Sequence, residues 1–212
     1  MVKKPWGHEY LIFENSKIAI WYLFIDYNKK TSLHCHPRKK TGFILLNGKV
    51  EVDIGFYQKK NLSKFDKLMI RPGLFHATKS LSKKGSNVLE IETPKNKNDL
   101  VRFQDKYGRQ KKPYEGKKFM QKIPKDALQL FNKVNINKDN VTYEIKTFKK
   151  NINKNFLRKD RIYAILDGGL GINKNQIVLG PGDIIREHTI KILLKSFKPS
   201  PSIKILSIKK NV

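Results

Sequence analysis

The stretch that decides the fold is Ser32–Asp53, which reads SLHCHPRKKTGFILLNGKVEVD. Polar and apolar side chains alternate around His34 and His36, and alternation returns after a turn signal at Asn47. Side chains two positions apart on a β-strand lie on one face of the sheet, so Cys35 lies on the opposite face. We therefore expect short strands separated by a tight turn, with both imidazoles on the same face.

Other segments rich in β-branched and aromatic residues are bounded by turn residues, which predicts further short strands. In chain order these are Lys17–Asp26, Lys67–Ile70, Asn87–Thr93, Val141–Phe148, Arg161–Leu166, Gln176–Leu179, Lys191–Phe197 and Ile203–Ile208. Strands at such intervals are typical of an all-β barrel or sandwich. The segment Pro124–Val134 is the best helix candidate, because Pro and Asp lie in its first turn and apolar residues follow.

Two sequence matches indicate an internal repeat. Phe43–Gly48 (FILLNG) resembles Tyr163–Gly168 (YAILDG), which lies 120 residues later. Asp66, in FDKLMIRPG, has a counterpart in Asp183, in PGDIIRE, 117 residues later. Matches at nearly equal offsets predict two copies of one β-domain.

The composition is that of a globular protein, with 39% hydrophobic and 30% charged residues in 212. A single cysteine excludes an internal disulfide framework. No apolar run is long enough to span a membrane, and the first residues, MVKKPWGHEY, do not resemble a secretory signal. We expect a cytoplasmic protein with no membrane partner.

The net charge of +27 raises the question of a nucleic-acid partner. The charge is spread evenly, with 24 basic and 10 acidic residues in 1–112 and 21 and 8 in 113–212. Lysines outnumber arginines by 38 to 7, whereas phosphate- and base-reading sites favour arginine. We expect a solvated lysine-rich surface and no nucleic-acid partner, although such a surface steers phosphorylated metabolites inward.

A third histidine, His76, follows a Pro-Gly turn in Arg71–His76 (RPGLFH). With His34 and His36, it would give three imidazoles on neighbouring strands, a donor set suited to a divalent metal. The alternative is a group of interior histidines that only make hydrogen bonds. Their spacing, in a chain with five histidines in all, favours metal binding.

These residues resemble the two-part cupin pattern. That pattern has His-x-His, an acidic slot, a glycine and then Pro-x-Gly-x-x-His; here Arg71 takes the place of its first proline. The flanks Lys4–Gly7 (KPWG) and Asp99–Arg109 (DLVRFQDKYGR) resemble the cupin domain of type II mannose-6-phosphate isomerases and its stand-alone relatives. The resemblance covers about residues 4–110.

The resemblance implies a bicupin, two antiparallel β-barrels of jelly-roll type with a short helical connector. The expected divisions are an N-terminal barrel with the site at 1–112, a connector at 113–135 and a degenerate C-terminal barrel without metal ligands at 136–212. It also implies a small-molecule ligand, either a sugar phosphate or a nucleotide-activated sugar, and aldose–ketose isomerisation. A homodimer is compatible with the exposed edge strands of such barrels.

The expected site consists of metal ligands, substrate contacts and a general base. His34, His36 and His76 would hold a divalent metal, which the sequence leaves open among Zn, Mn, Fe and Ni. The substrate contacts would be Arg71, Tyr107, Arg109 and Lys40, although Lys39 and Lys40 also fit a solvated surface. Glu90 and Glu92, on one face of a predicted strand, are the candidates for the general base.

The chain departs from the family pattern at Thr41, which occupies the slot of the usual metal-binding glutamate. This departure leaves two alternatives open. One is a sugar-binding or regulatory cupin without turnover, and the other is an iron-dependent dioxygenase that uses three histidines. In the second repeat the corresponding positions fall on Lys154, Phe156, Arg161 and about Leu193.

Overall fold

The computed structural model describes residues 1–109, 120–131, 135–149, 151–173 and 176–211, which form two compact units. The first unit comprises Met1–Glu14 and Ala19–Gln129, and the second comprises Asn15–Ile18 and Leu130–Val212. Strands dominate both units, so the all-β fold class is confirmed.

The described residues of the first unit form eleven strands. They are β1 Val2–Lys4, β2 Gly7–Glu14, β3 Ala19–Ile25, β4 Leu33–Cys35, β5 Lys40–Asn47, β6 Lys49–Ile54, β7 Gln58–Ser63, β8 Lys67–Ile70, β9 His76–Ser80, β10 Ser86–Thr93 and β11 Val101–Gln104. The predicted strands over this part of the chain are therefore present.

These strands form two antiparallel sheets. The first has six strands in the order β1-β2-β3-β10-β5-β8, and the second has five in the order β11-β4-β9-β6-β7. From β3 to β6 the chain alternates between the two sheets, as it does again from β8 to β11. This topology is the jelly-roll arrangement expected from the sequence. Apolar side chains from both sheets, including Phe43 and Val52, pack into one core.

The second unit has eight strands and one α-helix among its described residues. They are β12 Asn135–Lys138, β13 Val141–Lys149, β14 Arg161–Asp167, β15 Leu170–Asn173, β16 Gln176–Leu179, β17 Ile184–Arg186, α1 Glu187–Ser196, β18 Lys198–Pro199 and β19 Ser202–Lys210. The strands form a five-stranded sheet, β12-β13-β19-β14-β17, and a three-stranded sheet, β16-β15-β18.

The two units share the local structure that the sequence repeat predicts. In the first, Leu45 exchanges backbone hydrogen bonds with Phe65 and Asp66, at 2.7 and 3.0 Å. In the second, Ile165 exchanges the same pair with Gly182 and Asp183, at 2.8 and 3.0 Å. Phe65 in the first unit and Gly182 in the second both have a positive φ. The matched sequences therefore build the same chain crossing in both units.

In each unit the aspartate of this crossing also caps a turn. Asp66 accepts a hydrogen bond from the backbone N–H of Ser63 at 2.7 Å. Asp183 accepts the equivalent bond from Gly180, also at 2.7 Å. The repeat therefore extends to side-chain hydrogen bonding.

Two of the positions that the sequence repeat aligns with the histidines carry apolar residues in the second unit. Phe156, which the repeat aligns with His36, is buried in the hydrophobic core of this unit beside Tyr163. Leu193, near the position equivalent to His76, lies on α1 and packs against the same core. The assignment of this unit as a degenerate cupin barrel stays a prediction.

Two local predictions were wrong. The segment Lys191–Phe197 is not a strand, because it forms most of α1. In and directly after this helix, apolar residues follow the three- and four-residue spacing of a helix that buries one face; they are Ile190, Leu193, Leu194 and Phe197. The helix predicted at Pro124–Val134 is absent over 124–131, where the described chain forms only turns, and residues 132–134 lie outside the described part.

Within the described ranges, no helix is both long and apolar enough to cross a membrane. The connector predicted at 113–135 falls partly on residues 110–119 and 132–134, which also lie outside the described part.

The Tyr163 hydroxyl provides a test of the second unit's core. It donates a hydrogen bond to Phe156 O at 2.9 Å and accepts one from Arg158 N at 2.7 Å. Tyr163→Phe should lower the free energy of unfolding by about 1–3 kcal/mol, because two polar backbone groups lose their partner. Urea denaturation of the full chain measures this. Tyr57→Phe is the control, since Tyr57 is 96% exposed; an equal effect of both changes would contradict the assignment.

Candidate metal centre

Three histidines meet inside the first unit. His34 on β4 lies directly opposite His76 on β9, and His36 follows at the end of β4. Their ring centroids are 4.5 Å apart for His34–His76, 5.1 Å for His34–His36 and 5.5 Å for His36–His76. One ring nitrogen from each lies within 4.8 Å of the others. The predicted convergence is therefore present.

Each imidazole is oriented by a backbone carbonyl. The Nδ1 atoms of His34, His36 and His76 lie 2.7, 2.6 and 3.0 Å from carbonyl oxygens. Those oxygens belong to Ser32, Asp99 and Leu74. A carbonyl oxygen only accepts, so Nδ1 carries the proton and Nε2 keeps its lone pair in every ring. Metal-binding histidines are held in this way.

The Nε2 atoms of His36 and His76 are buried and have no hydrogen-bond partner. Buried polar atoms are normally satisfied, so two unpartnered lone pairs in one cluster call for an explanation. A divalent cation satisfies them, because imidazole nitrogen is among its usual ligands. The donor set therefore fits a metal ion.

The surroundings keep these imidazoles neutral. Burial, together with the charge of Lys39, lowers the pKa of His36 to about 3. Burial also lowers the pKa of His76 to about 4 and that of His34 well below its ordinary value. At neutral pH all three rings are uncharged, which is the form that binds a metal.

Two carboxylates lie beside the imidazoles. Glu90 and Glu92 project from β10, and their partners on β5 are Phe43 and Thr41. Both glutamates are buried, and each offers an oxygen that lies within 4.8 Å of a ring nitrogen of His36 and of the other glutamate's oxygen. Burial, and then the neighbouring Glu92, raise the pKa of Glu90 to about 8. The two candidates for the general base thus face the interior.

A buried lysine, Lys39, neutralises one of these carboxylates. Its ammonium lies 2.7 Å from Oε1 of Glu92, and the Lys39 side chain is only 1% exposed. The interpretation of Lys39 as solvated surface was therefore wrong. Sequence alone does not reveal its partner, because Glu92 lies 53 residues away along the chain.

The loop that carries Lys39 is tied down by Asp99. One carboxylate oxygen of Asp99 accepts the backbone N–H groups of Arg38 and Lys39, each at 3.0 Å. The Asp99 carbonyl also orients His36. This residue opens the Asp-Leu-Val-Arg motif, so part of that motif's role is to hold the segment between β4 and β5.

The histidines and glutamates line a cavity of about 60 Å³. Its wall also contains eight charged side chains. The cationic ones are Lys4, Lys39, Lys97, Arg102 and Arg109, and the anionic ones are Glu9, Glu90 and Glu92. Lys4, Glu9, Lys97 and Arg102 were not predicted as site residues, because nothing in the local sequence marks them.

Of the four predicted substrate contacts, only Arg109 lies in the cavity wall. Arg109 lines the cavity, and its guanidinium is also paired with Asp105, four residues earlier in the same segment, at 2.7 Å. Arg71 is exposed and does not line the cavity. Tyr107 is half-buried against the core, and Lys40 lies at the start of β5, outside the cavity wall.

Cys35 is buried and does not line the cavity. Its position agrees with the predicted alternation along β4, in which His34 and His36 share a face. Thr41 is buried as well, and its hydroxyl has no hydrogen-bond partner. The described structure therefore has no carboxylate at the Thr41 position but has one directly across the ladder at Glu92.

No protein-family model matches this sequence, and no curated protein matches it either. Solved structures with a similar fold include KdgF from Halomonas sp., at 18% identity over 42% of this chain and 78% of that one, with a TM-score of 0.40. A double-stranded β-helix protein from Klebsiella pneumoniae matches at 15% identity over 45% and 77%, with a TM-score of 0.42.

The DMSP lyase DddQ from Ruegeria pomeroyi is also similar, at 17% identity over 45% of this chain and 50% of that one, with a TM-score of 0.41. Another similar structure is described as an RmlC-like cupin from Shewanella frigidimarina. Identities this low concern the fold alone, and each match covers less than half of this chain.

Removing one imidazole tests the metal centre. His34→Ala should weaken zinc or manganese binding by at least about 100-fold, since loss of even an outer-shell partner costs about 10–100-fold. Isothermal titration calorimetry on the metal-stripped full chain measures this. His188→Ala is the matched control, because His188 is exposed on α1; unchanged affinity in the His34 variant would exclude the assigned ligand set.

Proposed function

We propose that the first unit is a cupin that binds a divalent metal and catalyses proton transfer on a small anionic sugar, as in aldose–ketose isomerisation. The substrate class is a sugar phosphate or a nucleotide-activated sugar. The observation that carries this proposal is the convergence of three uncharged imidazoles beside two buried carboxyl groups in one cavity. Metal-dependent isomerisation uses a cation near a carbonyl and a nearby acid–base group, and the imidazoles and carboxyl groups of this cavity are candidates for holding the one and supplying the other.

The charge of the cavity supports an anionic ligand. Five cationic side chains line it against three glutamates. One of the three, Glu90, has its pKa raised to about 8 and is therefore mostly uncharged at neutral pH. A bound divalent cation adds further positive charge. A phosphate or carboxylate on the substrate would balance this excess.

Glu90 supports proton transfer. A buried carboxyl group whose pKa lies near neutral pH can both take up and release a proton. Glu90, with its pKa raised to about 8, meets this condition, whereas Glu92 is paired with Lys39. When bound, the metal would act as a Lewis acid that stabilises negative charge on a carbonyl oxygen. The carboxylate form of Glu90 would take the proton from one carbon of the substrate and return it to the neighbouring carbon.

The size of the cavity limits the way in which a sugar would bind. A volume of about 60 Å³ is room for a few water molecules and not for a whole sugar phosphate. Lys97 lies at the wall, with its side chain 25% exposed, and its ammonium stacks on Trp21 at 3.5 Å. We expect it to move when a substrate enters.

The same small volume favours a second candidate, a cupin that binds a small anion without turnover. An iron-dependent dioxygenase with three histidine ligands is the further alternative, since three imidazoles also suit ferrous iron. These candidates differ in metal content and in the fate of the substrate. Metal analysis of the purified chain, followed by incubation with sugar phosphates, separates them.

The decisive experiment measures the incorporation of deuterium from the solvent into the substrate. The metal-loaded chain is incubated in D₂O with a panel of aldose and ketose phosphates, and NMR records exchange at the carbon beside the carbonyl. Exchange and interconversion support the isomerase. Binding without exchange supports the non-catalytic module, and oxygen consumption with bound iron supports the dioxygenase.

Glu90→Gln should lower the isomerisation rate by about 10²–10⁴-fold, the usual contribution of a general acid–base group. Metal content should stay unchanged, because Glu90 is not assigned as a ligand. Initial rates and metal analysis on the same sample measure both. The control is Glu51→Gln, whose carboxylate pairs with Lys59 on the exposed β6–β7 ladder; equal rates in both variants would rule out the assigned role of Glu90.

A further inference from the structure

We propose that Glu92 is a fourth ligand of the metal held by His34, His36 and His76. This inference rests on the metal centre of the proposed function and assigns the second carboxylate of the cavity to binding, while Glu90 serves in proton transfer. Three features of Glu92 carry it: an unsatisfied oxygen, a fixed orientation and a short distance to His36.

The first feature is the second carboxylate oxygen of Glu92. Oε2 is buried and has no hydrogen-bond partner, although Glu92 is only 2% exposed. Leaving a carboxylate oxygen without a partner away from water is costly. Glu92 Oε2 is therefore a buried acceptor that a metal ion could satisfy.

The second feature is the way in which the carboxylate is held. Oε1 of Glu92 accepts a hydrogen bond from Lys39 Nζ at 2.7 Å, and the ammonium of Lys97 lies 3.9 Å from the same oxygen. Both cations thus engage Oε1 and leave Oε2 available. A ligating carboxylate is commonly fixed by such a partner on its other oxygen.

The third feature is proximity to the imidazoles. An oxygen of Glu92 lies within 4.8 Å of a ring nitrogen of His36, and His36 is also a member of the histidine group. Two atoms that bind one ion at about 2.0–2.2 Å are separated by no more than about 4.4 Å. Small side-chain adjustments would bring Glu92 and the imidazoles onto one ion.

A purely structural ion pair between Lys39 and Glu92 is the competing explanation. It predicts that removing the pair changes stability and leaves metal affinity alone. The ligand assignment predicts that removing the pair weakens metal binding, because an oxygen ligand is lost even when the fold is intact.

The experiment compares cobalt affinity among variants of the full chain. Glu92→Gln leaves Lys39 buried without its anion and risks misfolding, so the double variant Lys39→Met/Glu92→Gln removes both charges together. Circular dichroism confirms the fold, and calorimetric titration gives Kd for Co²⁺. The matched control is Lys59→Met/Glu51→Gln, which removes an exposed lysine–glutamate pair of the same unit, at 2.9 Å.

The double variant at Lys39 and Glu92 should bind Co²⁺ at least about tenfold more weakly than the unmodified chain, with a shifted visible spectrum from the changed ligand set. The control pair should keep the original Kd. An unchanged Kd and spectrum in the folded double variant would overturn the assignment of Glu92 alone.

The other outcomes separate this inference from the proposed function. If the unmodified chain binds no Co²⁺, both fail together. If Glu92 affects Kd as expected but no sugar phosphate exchanges deuterium, the ligand assignment stands and the isomerase proposal fails. If His34→Ala abolishes binding and the double variant does not weaken it, the three histidines hold the metal without Glu92.

Discussion

The centre depends on three backbone carbonyls that each fix one imidazole. Because Ser32, Leu74 and Asp99 accept from Nδ1, the three Nε2 lone pairs are left on the inner side of the rings. Backbone atoms are positioned by the sheets, so the direction of the rings follows from the strand pairing. The direct pairing of β4 with β9 sets two of these rings side by side. The fold therefore prepares a binding geometry before any ion arrives.

The charged side chains of the cavity impose a second constraint on the same site. Buried lysines and glutamates are costly unless they are paired. Lys39 with Glu92, and Lys4 with Glu9 at 3.7 Å, satisfy this condition in part. The unsatisfied atoms that remain, on Glu92 and on the imidazoles, all face the same small space. A bound cation would complete a network that the protein alone leaves open.

The sequence predicted the strands and the histidine cluster because both depend on local patterns, namely alternation along a strand and fixed spacing around turns. It did not predict the burial of Lys39, which depends on a partner far away in the chain. Arg71 was expected near the ligand on account of a turn motif, yet its side chain is exposed. At Lys191–Phe197 a short apolar run suited either a strand or a helix, and packing of one face against the second core selected the helix.

The two units share a backbone arrangement but differ at a position of the histidine cluster. Both units form the same hydrogen-bonded crossing, at Leu45 in one and at Ile165 in the other. The sequence repeat aligns Phe156 of the second unit with His36 of the first, and that phenylalanine is buried in an apolar core. An apolar side chain at this position avoids the cost of a buried unsatisfied nitrogen. Packing alone therefore does not require an imidazole at this position of the repeat.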